Sequence, residues 1–483
     1  MPSPKVYGET AQDDGRRAVE ACFGQDFDLG QPGRSGWMAS ERSPYGVELG
    51  VRYPVCDGQA LIDAAHAAMP GWQRIGAQGR AGVCLEILEA VAYAYREMKF
   101  IPHETVWEKP QGKNPPLKMK KHFEIVGRGV ALVIGCGTFP TWNTYPGLFA
   151  ALATGNPVIV KPHQNAILPA AITVRIAREV LAEAGLDPNL VTLAAFDKHE
   201  ATQALATHPA VKSIDFTGGN AFGQWLISNA KQAQVYAELA GVNNVVIEST
   251  DQYKAMLRNL AFTLCLYSGQ MCTTTQAILV PADGIDTDQG RKSYDEVCAD
   301  LATSIDKFLA DPAVATAVLG AIQSPDTLAR IAEAPAHGRV VRASTKIEHA
   351  EFPGAEVRSP LLLACDAADE KAYMEERFGP SPSSSRSPTA RGGDLSERIV
   401  RESALTVGLY TTKPEVVDAM TEATWRAGVA LSINLTGGVF VNQSAGFSDY
   451  HGVGMNPAAN ASLSDSAFVA NRFRVVQRRH HVE

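Results

Sequence analysis

Cys272 stands in the run Ser268-Gly269-Gln270-Met271-Cys272-Thr273-Thr274, among small and polar neighbours. A thiol is a useful nucleophile only where its surroundings lower its pKa or a base stands nearby; packed among aliphatic side chains it behaves as a small hydrophobe. Cys265 is the competing thiol, but Leu264 and Leu266 flank it within a helical pattern, which reads as core. Glu238, in Glu238-Leu239-Ala240-Gly241, supplies a carboxylate upstream. Taken alone it would be a solvated surface charge. Paired with a nucleophilic thiol it becomes a candidate base, and the two point to covalent catalysis.

Three further stretches could serve such chemistry. Gly135-Cys136-Gly137-Thr138-Phe139-Pro140-Thr141-Trp142-Asn143 opens like a dinucleotide fingerprint, yet the third glycine is absent and Pro140 stands where close helix packing is wanted. The loop's candidate is therefore Asn143, whose amide could donate to a developing oxyanion, against an ordinary reading as a helix cap or turn residue. Lys161 closes the run Pro157-Val158-Ile159-Val160, where either a cofactor phosphate or ribose, or solvent, would answer its charge. Phe216-Thr217-Gly218-Gly219-Asn220-Ala221-Phe222-Gly223 follows a strand and opens a helix, so Gly218, Gly219 and Gly223 could let a pyrophosphate approach helix N–H groups. A tight structural turn explains those glycines equally well. The missing Lys-Ser/Thr excludes a Walker loop.

The elements that must position these residues alternate. Gly129–Ile134 is expected as a strand, Tyr145–Thr154 as a helix, Pro157–Val160 as a strand, 166–184 as a helix, Leu190–Leu193 as a strand, His199–Thr207 as a helix and Val211–Phe216 as a strand. Such alternation builds a parallel sheet covered on both faces. Asn244–Ile247, Leu405–Tyr410 and Ser432–Asn434 are expected as strands of a second α/β stretch, with a helix over Tyr253–Tyr267 leading into the Cys272 loop. Arg472, Arg474, Arg478 and Arg479 read as a solvated strand or tail. Ser381–Asp394 (SPSSSRSPTARGGD) cannot bury apolar area and reads as a surface loop.

A chain of 483 residues exceeds what one core usually organises, so two or three domains are expected. The formal net charge of -8 argues against a nucleic-acid partner and leaves a small molecule. No apolar stretch reaches membrane-spanning length and the N-terminus lacks a signal-peptide core, so a soluble cytoplasmic protein is expected. Cys22, Cys56, Cys84, Cys136, Cys265, Cys298 and Cys365 form no CxxC pair with one another or with Cys272, and read as reduced structural thiols with no metal site.

Read in order, Thr141-Trp142-Asn143, Val160-Lys161-Pro162, Phe216-Thr217-Gly218-Gly219, Glu238-Leu239-Ala240-Gly241, Gly269-Gln270-Met271-Cys272 and Glu376-Arg377-Phe378-Gly379-Pro380 resemble the aldehyde dehydrogenase superfamily. The resemblance runs from about residue 45 to 475 and includes the Glu238–Cys272 interval. It implies an α/β fold with two open α/β domains, one cofactor-binding and one catalytic, plus a small β oligomerisation element. The expected boundaries are 1–240 for the N-terminal segment and NAD(P)-binding domain with a hairpin near 114–128, 241–450 for the catalytic thiol domain, and 451–483 for the return to the cofactor and oligomerisation region. By the same resemblance Cys272 attacks the aldehyde, Asn143 and the Cys272 N–H hold the oxyanion, and Glu238 activates the hydrolytic water. Lys161 would bind the adenosine ribose, Thr217, Gly218, Gly219 and Gly223 would line the pyrophosphate path, and Glu376 and Phe378 would position the nicotinamide ribose.

Gln164 stands where NAD-preferring relatives often carry a glutamate, which leaves NADP beside NAD as the cofactor. Within the superfamily, the text from Pro4, the stretch 108–114 and the ending 446–452 resemble the branch that serves phenylacetic acid degradation. This implies a coenzyme A-linked semialdehyde as substrate, and the strand-like runs at 116–125 and the C-terminus imply a homodimer or homotetramer. Two departures, a short helical region at 80–93 and the segment 381–394, keep a catalytically impaired paralogue open as a second reading. A third reading passes the thioester to coenzyme A, against which Glu238 speaks.

Overall fold

Val130–Ile134 forms a strand whose residues are all buried, as a continuous apolar run at the centre of a parallel sheet must be. The computed structural model describes residues 10–87, 98, 101–109, 115–196, 198–239, 241–387, 404–440 and 466–482. Two compact units divide the chain: Met1–Ile214 with Ala230–Gln234 and Arg472–Glu483, and Asp215–Asn229 with Val235–Asn471.

In the first unit Val130–Ile134 pairs in parallel with Val158–Lys161, which pairs with Val191–Leu193. Helices Tyr145–Ala153 and Leu168–Glu183 make the crossovers between these strands. Burying each large aliphatic side chain here contributes about 1.5–3 kcal/mol. The return from the first helix passes so close to the end of the strand Lys118–Gly127 that only glycine fits. A Cβ on Gly127 would lie 2.3 Å from the Gly155 carbonyl oxygen, and Gly155 itself has φ +98. Asn156 ties the crossing together by accepting the Arg128 amide at 2.7 Å and donating to Arg472 O at 2.9 Å.

Helices Gly58–Arg74 and Gly76–Ile87 dock on this layer through two buried donors. Trp72 Nε1 donates to Leu152 O at 2.8 Å, and Arg80 donates to Ala153 O at 3.0 Å and Ile125 O at 3.1 Å. Burial pulls the Arg80 guanidinium down to about 10. A separate antiparallel sheet sets Lys118–Gly127 between Glu104–Glu108 and the C-terminal strand Phe473–Val482, whose residues are mostly exposed.

The second unit is built on a seven-stranded sheet in the order Arg339–Arg342, Leu362–Asp366, Ser383–Ser387, Thr275–Pro281, Asn243–Ile247, Thr406–Tyr410 and Ala430–Ile433. Only the Arg339–Arg342 edge pairs antiparallel. Its core gathers Val246, Leu279, Leu363, Val407, Leu409 and Tyr373, all buried. No described helix is long and apolar enough to cross a membrane.

Two expectations are corrected. The segment from Ser381, expected as a surface loop, supplies a strand in the interior of the sheet, with Ala277↔Ser383 on one side and Leu363↔Ser383 on the other. Ladder hydrogen bonds use only main-chain groups, and the two apolar strands it separates would otherwise each bury an unpaired row of N–H and C=O. Residues 388–394 lie outside the described residues, as do 88–97, 110–114, 395–399 and 446–452. Of the short helical region expected at 80–93, the described part lies in the helix Gly76–Ile87, entered through Gly76 at φ +72. The helix expected over Tyr253–Tyr267 stops at Cys265, because Tyr267, Ser268 and Gly269 turn left-handed at φ 52, 53 and 65.

Candidate active site

That left-handed turn carries the chain into the Cys272 loop. Two consecutive non-glycine residues at positive φ cost about 1–2 kcal/mol each, so the surroundings must hold them. Ser268 Oγ lies 3.0 Å from Gly320 O and 2.9 Å from Arg358 O. Gln270 Nε2 donates to Ala321 O at 2.9 Å, and its Oε1 accepts the Gln323 amide at 2.9 Å. Gly269 is required twice over, by its φ and by contact: a Cβ there would stand 2.5 Å from Gly379 O. The Gly269-Gln270-Met271-Cys272 and Glu376-Arg377-Phe378-Gly379-Pro380 motifs are therefore in direct backbone contact.

Asn243 was not singled out by its sequence, since it immediately precedes the expected strand Asn244–Ile247 and its partners at Leu405 and Thr406 lie far along the chain. Its Nδ2 donates to Cys272 O at 2.7 Å and Thr274 O at 2.9 Å, and its Oδ1 accepts the amides of Leu405 at 3.0 Å and Thr406 at 3.1 Å. One buried side chain thus fastens the thiol's loop to two sheet strands. Cys272 itself is partly exposed, whereas Cys265 is fully buried and burial pushes its thiol up to about 12. Exposure separates the two thiols as their neighbours in sequence suggested.

Glu238 ends the strand Gln234–Glu238 at 1% exposure, and its main-chain carbonyl accepts the Gly218 amide at 3.1 Å. Glu376 accepts the Gly241 amide at 3.2 Å. Burial pushes the Glu376 carboxyl up to about 7; the Glu238 charge adds to this, while the Gly241 N–H and the Arg330 charge oppose it. The Phe378 carbonyl accepts Arg330 Nε at 3.2 Å. Thr217 is buried ahead of the helix Asn220–Asn229. The three glycines around it differ in kind. A Cβ on Gly218 would meet Phe216 Cζ at 2.7 Å and one on Gly223 would meet Leu239 Cδ2 at 2.0 Å, whereas one on Gly219 would meet nothing.

In the first unit Asn143 is 3% exposed in the turn before Tyr145–Ala153. The cap position belongs to Thr144, and Asn143 Nδ2 instead donates to Cys136 Sγ at 3.5 Å. Gly135 and Gly137 serve close packing: a Cβ there would lie 2.9 Å from Thr144 Oγ1 and 3.2 Å from His163 Nδ1. Lys161 ends its strand with its charge disfavoured by burial, and no described acidic side chain forms an ion pair with it. A desolvated ammonium at a strand's carboxyl end suits a hydroxyl-rich or anionic ligand, the donor set a dinucleotide requires. Glu376 in the second unit offers a buried acceptor, and the N-terminus of Asn220–Asn229 offers N–H groups beside the open face of Gly219.

Residues 103–386 match the model of the aldehyde dehydrogenase family, and the chain belongs to that family. The crystal structure of an NAD-dependent aldehyde dehydrogenase from Burkholderia multivorans is 52% identical, with a TM-score of 0.95 over 100% of this chain and 94% of that one. The α-ketoglutaric semialdehyde dehydrogenase 2 of Azospirillum brasilense is 28% identical over 298 residues, which cover 59% of this chain and 54% of that protein. The chain therefore spans about half the length of that relative. The vanillin dehydrogenase of Pseudomonas fluorescens is 25% identical over 386 residues, 72% of this chain and 77% of that one. Among the described residues no group of His, Cys, Asp and Glu could hold a metal.

Proposed function

We propose that the chain oxidises an aldehyde to its carboxylic acid with NAD or NADP, through a covalent intermediate on Cys272. The observation that carries this reading is the partly exposed Cys272 on a loop fastened by Asn243. The Cys272 thiolate attacks the aldehyde carbon, and its own N–H stabilises the resulting oxyanion of the thiohemiacetal. The roles of Asn143 as second oxyanion donor and of Lys161, Thr217, Gly218, Gly219, Gly223, Glu376 and Phe378 in holding the cofactor rest on the family likeness. The nicotinamide, when bound, supplies the two-electron acceptor that converts the thiohemiacetal to a thioester. Glu238 then takes a proton from water as its oxygen attacks the thioester carbonyl, releasing the acid and restoring the thiol.

For the substrate we propose a semialdehyde from a ring-opened aromatic compound, carried on coenzyme A, as for the phenylacetic acid degradation protein PaaN. The likeness of the text from Pro4, the stretch 108–114 and 446–452 to that protein supports the choice. So does the relative whose name specifies a semialdehyde. A homo-oligomeric, cytoplasmic enzyme completes the proposal. The test is cofactor reduction followed by absorbance with NAD and with NADP, on a short aldehyde and on a coenzyme A-linked semialdehyde. Turnover to the free acid without added coenzyme A is expected. A strict requirement for free coenzyme A would establish the acylating reaction instead, and no reduction with any pair would establish an impaired paralogue.

A further inference from the structure

Asn143 reaches its proposed role only if its carboxamide faces the right way. The group has two ends of nearly equal size, one carrying two donors and the other an acceptor, and rotation about its last torsion exchanges them. In the first unit a sulfur marks one end. Cys136 Sγ accepts from Asn143 Nδ2 at 3.5 Å and from the Phe139 amide at 3.4 Å, with Thr138 Oγ1 at 3.8 Å. Two N–H groups converging on it make the sulfur an acceptor at this position. Exchanging the amide ends would bring a carbonyl oxygen against that sulfur in place of a donor.

The sulfur is itself held in place. Gly135 and Gly137 flank it, and Cβ atoms there would lie 2.9 Å from Thr144 Oγ1 and 3.2 Å from His163 Nδ1. The loop is thus packed on both sides of Cys136, and Asn143 is anchored by its own amide donating to Phe139 O at 3.1 Å. We propose that Cys136 is a positioning residue, which takes one N–H of the Asn143 carboxamide and so presents the NH2 end as an oxyanion donor. This rests on the reaction proposed above. The thiol takes no covalent part, and the two cysteines have separate duties: Cys272 bonds to the substrate and Cys136 orients a donor.

The test is a double-mutant cycle on the full chain with a short aldehyde. Loss of one oxyanion donor costs about 10²–10³ in kcat, so Asn143→Ala should fall by that amount and Cys136→Ala, which frees its orientation, by about tenfold with KM changed less than about twofold. Cys136→Ser, whose hydroxyl accepts the same N–H, should stay within about threefold of wild type. Adding Cys136→Ala to Asn143→Ala should cost nothing further. A double variant about tenfold below Asn143→Ala, or Cys136→Ala at wild-type kcat, would overturn the positioning role while leaving the reaction intact. A wild-type chain that reduces neither cofactor would overturn the reaction and this role together.

Discussion

Asn243 Nδ2 stands 2.7 Å from the carbonyl oxygen of Cys272, and through this bond the proposed nucleophile's loop is joined to the sheet of its unit. The same side chain accepts Leu405 and Thr406 N–H, so four main-chain groups depend on it. Removing one partner of a buried hydrogen bond leaves the other unsatisfied at about 1–3 kcal/mol. Asn243→Ala should therefore lower the unfolding free energy by roughly 3 kcal/mol or more in urea titration. Asn243→Asp sets a carboxylate oxygen against the Cys272 and Thr274 carbonyl oxygens in a buried site, so it should be at least as destabilising as the alanine variant.

The pH dependence of stability should carry the signature of Glu376. Its folded pKa of about 7 stands above the ordinary carboxyl value of 4.5, so between those values the folded chain binds a proton that the unfolded chain has released. Stability from this group is present below pH 4.5 and declines as pH rises toward 7. The decline approaches about 3 kcal/mol. Glu376→Gln removes the titration, so the difference in urea stability between variant and wild type should widen from pH 5 to pH 7.5. A constant difference across that range would refute the assignment.

The three glycines near Thr217 should part company when each is changed to alanine. Gly223→Ala forces a Cβ to within 2.0 Å of Leu239 Cδ2 and should destabilise the fold by about 1–3 kcal/mol. Gly218→Ala meets the Phe216 ring at 2.7 Å and should cost less, because a ring edge can shift. Gly219→Ala enters open space and should leave the unfolding midpoint unchanged while weakening cofactor binding, read by fluorescence titration with NAD and NADP. Equal affinity of Gly219→Ala and wild type would remove this glycine from the cofactor path.

Much of this architecture was legible where apolar runs and helices alternate. Val130–Ile134, Val158–Lys161 and Val211–Thr217 fall within a residue or so of their expected bounds, because buried parallel strands must be written in aliphatic residues. Ser383–Ser387 was illegible for the opposite reason: its place in the sheet is set by neighbouring strands, and its own side chains carry no strand signal. Cys272 could be told from Cys265 by its neighbours, which foreshadowed the difference in burial. Asn243, Ser268 and Gln270 could not be ranked, since their partners at Leu405, Gly320, Ala321 and Gln323 are far along the chain.

The Gly269–Gly379 contact should be sensitive to a single added carbon. Gly269→Ala combines a Cβ 2.5 Å from Gly379 O with a backbone at φ +65, so the Cys272 loop must move. Cofactor reduction should fall at least about tenfold, with reactivity of Cys272 toward a thiol reagent altered in peptide mapping.

The most direct test of the account compares two thiols. Cys272→Ala and Cys265→Ala are purified and assayed for aldehyde-dependent cofactor reduction under saturating substrate. The proposed chemistry requires that Cys272→Ala abolish turnover while Cys265→Ala, a small change in a buried helix, keeps most of it. Equal losses, or turnover surviving in Cys272→Ala, would contradict covalent catalysis by Cys272.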